Sequence, residues 1–569
     1  MCGINGFNWQ DAELINKMNT LVKHRGPDES GIFVTDKVSL GHTRLTILDL
    51  SDKGRQPMTN EDKTLWIIYN GETYNYLLLK EELEKKGYPF NSRTDTEVIL
   101  QAYAEEGPDS FIKLNGIFAF CIYDKNNQCM YVVRDRLGIK PVYYYYDCKR
   151  FIFSSEIKTF KIFRELSFSI NHTAVLEYFL TMNISDESFF KNIKSIEPGQ
   201  YLKFDLKNNK LSLHQYYNIY QSISKEAYQN NLNKSNIELI DELDALLNKV
   251  VKEQLMADVP VGTICSGGID SSLLTAIAKK YTKDLKIFNV SVEGEEYNES
   301  KYAKKVAEHL GLHLIEEELN QKNFNELYKK CIALADVPLI HPNSIGIYLI
   351  SNKAKEENIK VLLSGEGADE LFGGYPQYKL FYRRLLLSKI PLYESLLHKS
   401  KTLLYNEDFV RYLIEDSDSL INHYNDQPWI KNRYSVNKKF YNSLKFLNQN
   451  FEREILSYML KDLKYYLMPI LMRTDRMSMG TGLEMRVPFL DYQIVDFATN
   501  IPLKYKVGVF KTKYLLKKVA ERYLPKDIVY RKKMGFSLPT EEWLNDRDVR
   551  KNMFNEWKKI YEINDDINF

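Results

Sequence analysis

Cysteine is scarce in this chain and forms no metal-binding pattern. The 569 residues include six cysteines, and no two of them have the spacing of a CxxC motif. Such spacing is typical of zinc sites, and a dense cysteine framework is typical of small secreted domains. The cysteines therefore argue against zinc and against disulfides, and they favour a reducing, cytoplasmic setting. The six are Cys2, Cys121, Cys129, Cys148, Cys265 and Cys331.

An excess of charge of either sign is also missing. The 78 lysine and arginine residues nearly balance the 76 aspartate and glutamate residues, so no global field would recruit nucleic acid or an anionic membrane. The longest apolar runs are far too short to span a bilayer, and the N-terminus lacks the layout of a signal peptide. We therefore expect no nucleic-acid partner and no membrane. The length and a hydrophobic share of 44% instead predict two or more domains with sizeable cores.

The most informative stretch is a glycine turn between a predicted strand and a predicted helix. Residues 259–265 are apolar and β-branched, and residues 273–280 favour a helix. Between them lies Ser266-Gly267-Gly268-Ile269-Asp270-Ser271-Ser272, whose glycines allow phosphate to approach and whose serines add hydroxyl donors. Asp270 would repel phosphate unless a divalent cation lay between them. The stretch has no Walker lysine, so it is a phosphate site of another kind.

A second acidic turn follows a later predicted strand. Residues 359–363 are apolar, and they end in the sequence Ser-Gly-Glu-Gly-Ala-Asp-Glu at 364–370. Ligands of parallel sheets bind beyond the carboxyl ends of the strands, so Asp270 and Asp369 should converge. Two carboxylates facing one triphosphate indicate Mg²⁺ between them.

The first half of the chain opens with Met1-Cys2. Removal of Met1 by an aminopeptidase would leave Cys2 at the terminus, where its own α-amino group titrates near neutrality and can take the thiol proton. A terminal cysteine can therefore act as a nucleophile without a partner nearby in sequence. An exposed thiol without function is the alternative for Cys2 taken alone.

Four further segments of the first half carry polar residues at the ends of predicted elements. They are the loop 24–28, the strand end 41–49 with Arg44, the triplet 70–72 after a β-rich run, and a helix start at 92–97. Thr94 and Glu97 are spaced as a capping box. Taken alone, Asn70-Gly71 could be a hairpin turn and Asp95 a helix N-terminal charge. His24 and His42 are expected to be structural.

Together these segments resemble a known family. Cys2-Gly3-Ile4, the Arg-Gly-Pro-Asp of the 24–28 loop, the Arg44 segment, Asn70-Gly71-Glu72 and the Asp95 segment resemble, in order, the glutaminase domain of class II glutamine amidotransferases. The 266–272 heptad resembles the pyrophosphate-binding signature of PP-loop ATPases. With residues 364–370, 475–491, 511–513 and 531–536, the second half is similar to the synthetase domain of glutamine-dependent asparagine synthetases. The resemblance covers nearly the whole chain.

The resemblance implies a role for each matching residue of the first half. Cys2 would form a γ-glutamyl thioester, and the Asn70 side chain with the Gly71 backbone N–H would form the oxyanion hole. Arg44 would bind the α-carboxylate of glutamine and Asp95 its α-ammonium group. The glutamine-binding set implied by the resemblance is Arg44, Asn70, Glu72 and Asp95.

For the second half the resemblance implies that ATP is a co-substrate and Mg²⁺ a cofactor. Asp270 and Asp369 would hold Mg²⁺, and Glu366 would be the acid–base or positioning residue. Lys533 would neutralise charge on the leaving phosphates, although the neighbouring Lys532 is an alternative. The nucleotide would lie against Cys265, Ser266, Gly267, Gly268, Asp270, Ser271, Ser272, Val290, Ser364 and Gly365.

The predicted fold is an α+β N-terminal-nucleophile glutaminase domain, an αββα sandwich, over residues 2–218. A polar linker at 219–235 would lead to an α/β parallel-sheet PP-loop ATPase domain of the adenine nucleotide hydrolase type at 236–569. The implied activity releases ammonia from L-glutamine, adenylates L-aspartate with ATP to β-aspartyl-AMP and pyrophosphate, and forms asparagine and AMP. The resemblance leaves a homodimer open.

Two other functions stay open at this point. Related enzymes adenylate other carboxylates, so the chain could amidate a sugar acid, a peptide or a secondary metabolite. A non-catalytic nucleotide-binding or regulatory protein is the second alternative, although Cys2, Asp270 and Asp369 are all present. Residues 335–344 should handle the amino-acid substrate, but no single residue there matches an aspartate contact, and His341 is assigned to a structural loop.

Overall fold

The first half of the chain is built from antiparallel strands with few helices. The computed structural model describes residues 2–166, 168–181, 187–294, 298–339, 341–387, 428–447, 450–536 and 538–563. The first-half strands are β1 (Gly3–Phe7), β2 (Glu29–Val34), β3 (Ser39–Arg44), β4 (Met58–Thr59), β5 (Leu65–Thr73), β6 (Gly116–Asp124), β7 (Cys129–Arg134), β8 (Tyr143–Tyr146), β9 (Phe151–Ser154), β10 (Ile193–Ser195), β11 (Gln200–Asp205) and β12 (Lys210–Gln215). The helices are α1 (Ala12–Leu21), α2 (Tyr76–Lys85), α3 (Asp95–Glu106) and α4 (His172–Thr181).

These strands form two stacked sheets, in the orders β10-β8-β9-β1-β3-β2 and β12-β11-β7-β6-β5-β4. Side chains alternate between the faces of a strand, so Phe151 and Phe153 of β9 enter the core between the sheets while Ile152 packs on the outer side with α1. Helices α2 and α3 cover the outer face of the other sheet. The predicted αββα sandwich is confirmed.

The second half alternates strands and helices, as predicted. Its elements are α5 (Lys225–Asn233), α6 (Asn236–Gln254), β13 (Val261–Ile264), α7 (Ile269–Lys279), β14 (Lys286–Val292), α8 (Ser300–Leu310), β15 (Leu314–Leu319), α9 (Gln321–Ala335), α10 (Ser344–Glu356), β16 (Val361–Leu363), α11 (Ala368–Phe372), α12 (Pro376–Leu387), α13 (Pro428–Ser443), α14 (Asn450–Lys464), α15 (Leu467–Met479), β17 (Glu484–Arg486), α16 (Tyr492–Thr499), α17 (Tyr514–Ala520), α18 (Lys526–Val529), α19 (Thr540–Leu544) and α20 (Val549–Ile560).

All strands of the second half run parallel, in the order β15-β14-β13-β16-β17. Helix α6 begins with the capping box predicted for Ser235 and Glu238, and its buried leucines and valines pack against α7 and α17. Because β13 and β16 are neighbours in this sheet, the turns that follow them meet at one edge. The α/β parallel-sheet fold is confirmed.

The segment predicted as a linker is folded onto the second half. Helix α5 lies within it, and a short 3₁₀ helix spans Ile219–Ser222. Asn500 fastens the segment, because its Oδ1 accepts from the Ser224 backbone N–H at 2.8 Å and its backbone oxygen accepts from Asn231. The polar composition thus reflects a helix with few buried residues. Among the described helices, none is both long and apolar enough to cross a membrane.

Candidate functional site

Cys2 lies directly before β1, and its contacts hold the start of the chain in place. It is 6% exposed, and its backbone nitrogen donates to Asn70 Oδ1 at 2.9 Å. Its backbone oxygen accepts from Arg25 Nε at 3.1 Å. Burial raises the pKa of the Cys2 thiol, so its activation needs a nearby base. The same backbone nitrogen becomes a free α-amino group if Met1 is removed, which places that base next to the thiol.

Asn70 and Gly71 lie inside β5, and the expectation that the strand stops before them is wrong. The strand continues to Thr73, and the two residues pair with Ala119 and Phe118 of β6. The pairing also excludes the hairpin turn that the dipeptide could have formed. Asn70 Nδ2 is buried and has no hydrogen-bond partner in the described part of the chain. An unsatisfied buried donor is costly, so this amide is well suited to a ligand oxygen.

Gly71 has no room for a side chain. A Cβ at this position would lie 2.1 Å from the backbone oxygen of Ile117. Glycine at this position therefore lets the backbone of β5 approach β6 more closely than a residue with a side chain would allow.

Arg44 and Asp95 lie at the ends of their elements, where the sequence predicts them. The Arg44 guanidinium, at the end of β3, donates to Glu29 Oε2 at 3.0 Å and to the Asp49 backbone oxygen at 2.7 Å. Asp95 begins α3, and its Oδ2 accepts from the Tyr69 hydroxyl at 2.9 Å. Burial raises the pKa of Asp95 to about 6.

The capping box predicted at α3 is only half formed. Thr94 accepts from the Glu97 backbone N–H, but the Glu97 carboxylate instead accepts from the backbone N–H groups of Asn91 and Ser92. His42 is buried, and its Nε2 contacts the Tyr69 backbone oxygen at 3.0 Å. Burial lowers its pKa to about 3, so it is a neutral structural residue as expected.

Glu72 points toward the second half of the chain. Its Oε1 lies 3.3 Å from Arg486 Nη2, and both side chains are buried. Burial raises the pKa of Glu72 well above its usual value. The residue proposed to contact glutamine is therefore also in contact with the synthetase half.

The 266–272 loop has the geometry of an anion-binding turn. Gly267 has a φ of 70°, and a Cβ there would lie 2.5 Å from the backbone of Tyr302 in α8. Ser271 Oγ accepts from the Ser266 backbone N–H at 3.1 Å, and Ser266 Oγ accepts from the Gly268 N–H at 3.3 Å. Gly268 caps α7, so the helix N-terminus opens on this loop.

The remaining nucleotide residues line the same edge of the sheet or lie just behind it. Ser266, Gly268, Asp270, Ser271, Val290, Ser364 and Gly365 border one cavity of about 350 Å³. Ser272 and Cys265 are both fully buried, with Oγ and Sγ 3.9 Å apart. Their side chains therefore support the loop from behind, and the hydroxyl of Ser272 is not offered to the cavity.

Asp270 and Asp369 converge as predicted, with a lysine between them. Lys513 Nζ lies 2.6 Å from Asp270 Oδ2 and 2.6 Å from Asp369 Oδ1, and Lys533 Nζ lies 2.8 Å from Asp369 Oδ2. Burial raises the pKa of Asp270. Burial acts in the same direction on Asp369, but Lys513 and Lys533 outweigh it and lower the pKa of Asp369.

Glu366 lies on the same edge and is held from two sides. Its carboxylate accepts from Ser364 Oγ and, at 3.2 Å, from Thr474 Oγ1. Lys533 borders the cavity and Lys532 does not, so the geometry favours Lys533 as the phosphate-facing lysine. His341 is not among the residues that border the cavity, in keeping with a loop role.

Several cavity residues were not predicted as site residues. Arg473, Tyr375, Lys517 and Phe536 border the cavity, as do Arg531 and Lys513 from the basic segments. Arg531 Nε donates to the Gly267 backbone oxygen at 2.8 Å and so fastens the glycine turn. The basic runs at 511–513 and 531–533 are a sequence signal that could have predicted Lys513 and Arg531 as site residues. Arg473 lies within a helix and belongs to no such run.

Comparison with known protein families gives a match in each half of the chain. The Asparagine synthase family matches residues 242–559, and the Glutamine amidotransferase domain matches residues 1–217. The chain belongs to the asparagine synthase family.

Curated relatives cover almost the full length. Asparagine synthetase [glutamine-hydrolyzing] 1 of Bacillus subtilis is 35% identical to this chain, and the match covers 98% of this chain and 89% of the relative. Number 3 of the same organism is 31% identical over 94% of this chain and 87% of its own. In this member of the asparagine synthase family, the matches to these relatives therefore extend over both halves of the chain.

In this asparagine synthase family member, Asp95 should make glutamine binding depend on pH. Only the ionised carboxylate attracts an ammonium group, so glutamine affinity should fall as the pH drops through about 6. We expect binding near pH 5 to be about tenfold weaker than near pH 7.5. Calorimetry on the Cys2→Ala variant measures binding without hydrolysis. The Asp95→Asn variant should bind weakly at every pH, and an unchanged pH profile in that variant would assign the effect to another group.

The two neighbouring lysines offer a matched test of the phosphate end. Lys533→Met should slow pyrophosphate release roughly 100-fold, because it removes a cation from the developing charge. Lys532→Met should stay within about twofold of the unmodified enzyme. Both variants are assayed with ammonia as the nitrogen source. Equal effects of the two changes would contradict the assignment of Lys533.

Proposed function

We propose that this chain is a glutamine-dependent asparagine synthetase. It hydrolyses L-glutamine at Cys2, adenylates L-aspartate with ATP to β-aspartyl-AMP and pyrophosphate, and amidates that intermediate to asparagine and AMP. One observation carries the proposal: a buried start-of-chain thiol and a PP-loop with two facing carboxylates occur in one folded unit. The names of the full-length relatives support the same reaction.

In the glutaminase half, the thiol of Cys2 attacks the side-chain amide carbon of glutamine. The α-amino group of Cys2 takes the thiol proton and later passes it to the leaving ammonia. The unpartnered Asn70 Nδ2 donates to the oxyanion, together with the Gly71 backbone N–H. Arg44 and Asp95 bind the two charged ends of the substrate, so that the reacting carbon lies beside Cys2.

In the synthetase half, the β-carboxylate of aspartate attacks the α-phosphate of ATP. The backbone N–H groups of the 266–272 loop and the ammonium group of Lys533 hold the leaving pyrophosphate. Glu366 lies on the edge where the activated carbonyl forms and takes a proton from the attacking ammonia.

The donor set fits Mg²⁺. Asp270 Oδ1 is buried and has no hydrogen-bond partner among the described residues, so an oxygen donor is left for a cation. Asp270 and Asp369 would hold the ion. When bound, Mg²⁺ neutralises the charge of the pyrophosphate.

Replacement of Cys2 separates the two halves functionally. Cys2→Ala should abolish glutamine-driven asparagine formation and leave ammonia-driven formation within about twofold, because no group of the synthetase cavity is altered. Pyrophosphate, AMP and asparagine are quantified with aspartate as acceptor. Cys148→Ala, a change at an exposed cysteine, is the matched control and should alter neither reaction.

Two outcomes would overturn the proposal. Formation of ADP in place of AMP would exclude adenylation. Glutamine hydrolysis without any aspartate-dependent pyrophosphate release would show that the acceptor is another carboxylate.

A further inference from the structure

Arg473 is a cation of the synthetase cavity, and it has no anionic partner among the residues that the structure describes. It lies on α15 and borders the cavity. Its Nη1 donates to the neutral amide oxygen of Asn343 at 2.6 Å, and its Nε is buried without a hydrogen-bond partner in the described ranges. No carboxylate of those ranges lies within ion-pair distance of it. A ligand anion in the cavity would supply the counter-charge and an acceptor for the buried Nε.

The other cations of the cavity belong to its phosphate end. Lys513 and Lys533 contact the paired carboxylates of Asp270 and Asp369. Arg531 donates to the backbone of the glycine turn and pairs with Glu299 at 2.7 Å. These three and Lys517, which also borders the cavity, come from the segment 513–533, whereas Arg473 lies on α15. The phosphate end of the cavity therefore has cations of its own.

The wall that carries Arg473 is joined by a hydrogen bond and by close packing. Asn343, its hydrogen-bond partner, donates through Nδ2 to the Phe536 backbone oxygen at 2.8 Å. A Cβ on Gly346 would lie 2.5 Å from the Phe536 ring, so the start of α10 and the 531–536 segment are in close contact. A guanidinium held in such a wall presents a planar fork, which can bind a carboxylate through two hydrogen bonds.

We propose that Arg473 binds the α-carboxylate of the amino-acid acceptor and thereby selects aspartate. This inference rests on the function proposed above. Thr474, the next residue of α15, donates to Glu366 Oε1. One turn of this helix would therefore contact both Glu366 and the α-carboxylate of the acceptor. Of the negative charges on ATP and aspartate, the α-carboxylate alone is neither phosphate nor consumed in the reaction. Acceptors without a second carboxylate would leave Arg473 unpaired and would bind poorly.

Two aspartate analogues isolate this contact. Succinate keeps both carboxylates and lacks the ammonium group, whereas 3-aminopropanoate keeps the ammonium group and lacks the α-carboxylate. Their inhibition constants against aspartate are measured by pyrophosphate release with ammonia and saturating ATP. In the unmodified enzyme succinate should inhibit more strongly, and equal inhibition by the two would overturn the proposal without any variant.

The Arg473→Gln variant gives the decisive comparison. The KM for aspartate and the inhibition constant of succinate should both rise roughly 10- to 100-fold, since a charged hydrogen-bonding partner is lost. The inhibition constant of 3-aminopropanoate and the KM for ATP should stay within about twofold. Arg473→Lys keeps the charge and loses the fork, so its effects should be intermediate.

Controls separate binding from folding. Arg522 is partly exposed and pairs with Asp241 and Asp244 in α6, so Arg522→Gln is a matched change that should alter none of these constants. Glutamine hydrolysis at Cys2 reports whether each Arg473 variant is folded.

Two results in the variants would contradict the inference. An equal loss of affinity for 3-aminopropanoate and succinate would make Arg473 a merely structural residue, and a parallel rise in the KM for ATP would place it on the nucleotide. If the unmodified enzyme releases no pyrophosphate with aspartate at all, the proposed function itself fails, and that result is distinct from both.

Discussion

The buried guanidinium of Arg25 connects the two halves of the chain, and the arrangement of the glutaminase site depends on its hydrogen bonds. Arg25 is 0% exposed, and its nitrogens bind the Cys2 backbone oxygen, Glu156 and, through two hydrogen bonds, Asp475 of α15. Removing one partner of a buried ion pair costs about 3–5 kcal/mol, because the other charge stays buried without compensation. The position of the nucleophile in the first half is therefore tied to a helix of the second half.

Helix α15 contacts both the synthetase cavity and the first half of the chain, because adjacent residues of a helix point in different directions. Arg473 borders the synthetase cavity, and Thr474 donates to Glu366. The next two residues turn the other way: Asp475 binds Arg25, and Arg476 lies 3.0 Å from Glu156 of the first half. A shift of this helix would alter the acceptor site and the surroundings of Cys2 together.

Local patterns were sufficient to predict the parallel sheet and the anion-binding turn, since alternating strands and helices and a glycine turn can be read from residues close in sequence. The sandwich was predicted from the resemblance of the first half to a known family. Asn70-Gly71 was misplaced because the two residues disfavour strand interiors, and pairing with β6 overrides that preference. Strand β15 was missed because its three glutamates hide the apolar alternation. The contact of Glu72 with Arg486 joins residues hundreds of positions apart, which no local pattern reveals. Arg473 was missed because only the folded structure shows that it borders the cavity and that its buried Nε has no hydrogen-bond partner among the described residues.

The account rests on transfer of nitrogen between two chemistries in one molecule, and isotopic labelling tests it directly. The enzyme is supplied with glutamine labelled with ¹⁵N in the side-chain amide, together with aspartate, ATP and Mg²⁺. The account predicts label in the side-chain amide of asparagine, with one AMP and one pyrophosphate formed for each labelled product. Label that appears only in free ammonia, or a product amide without label, would contradict it.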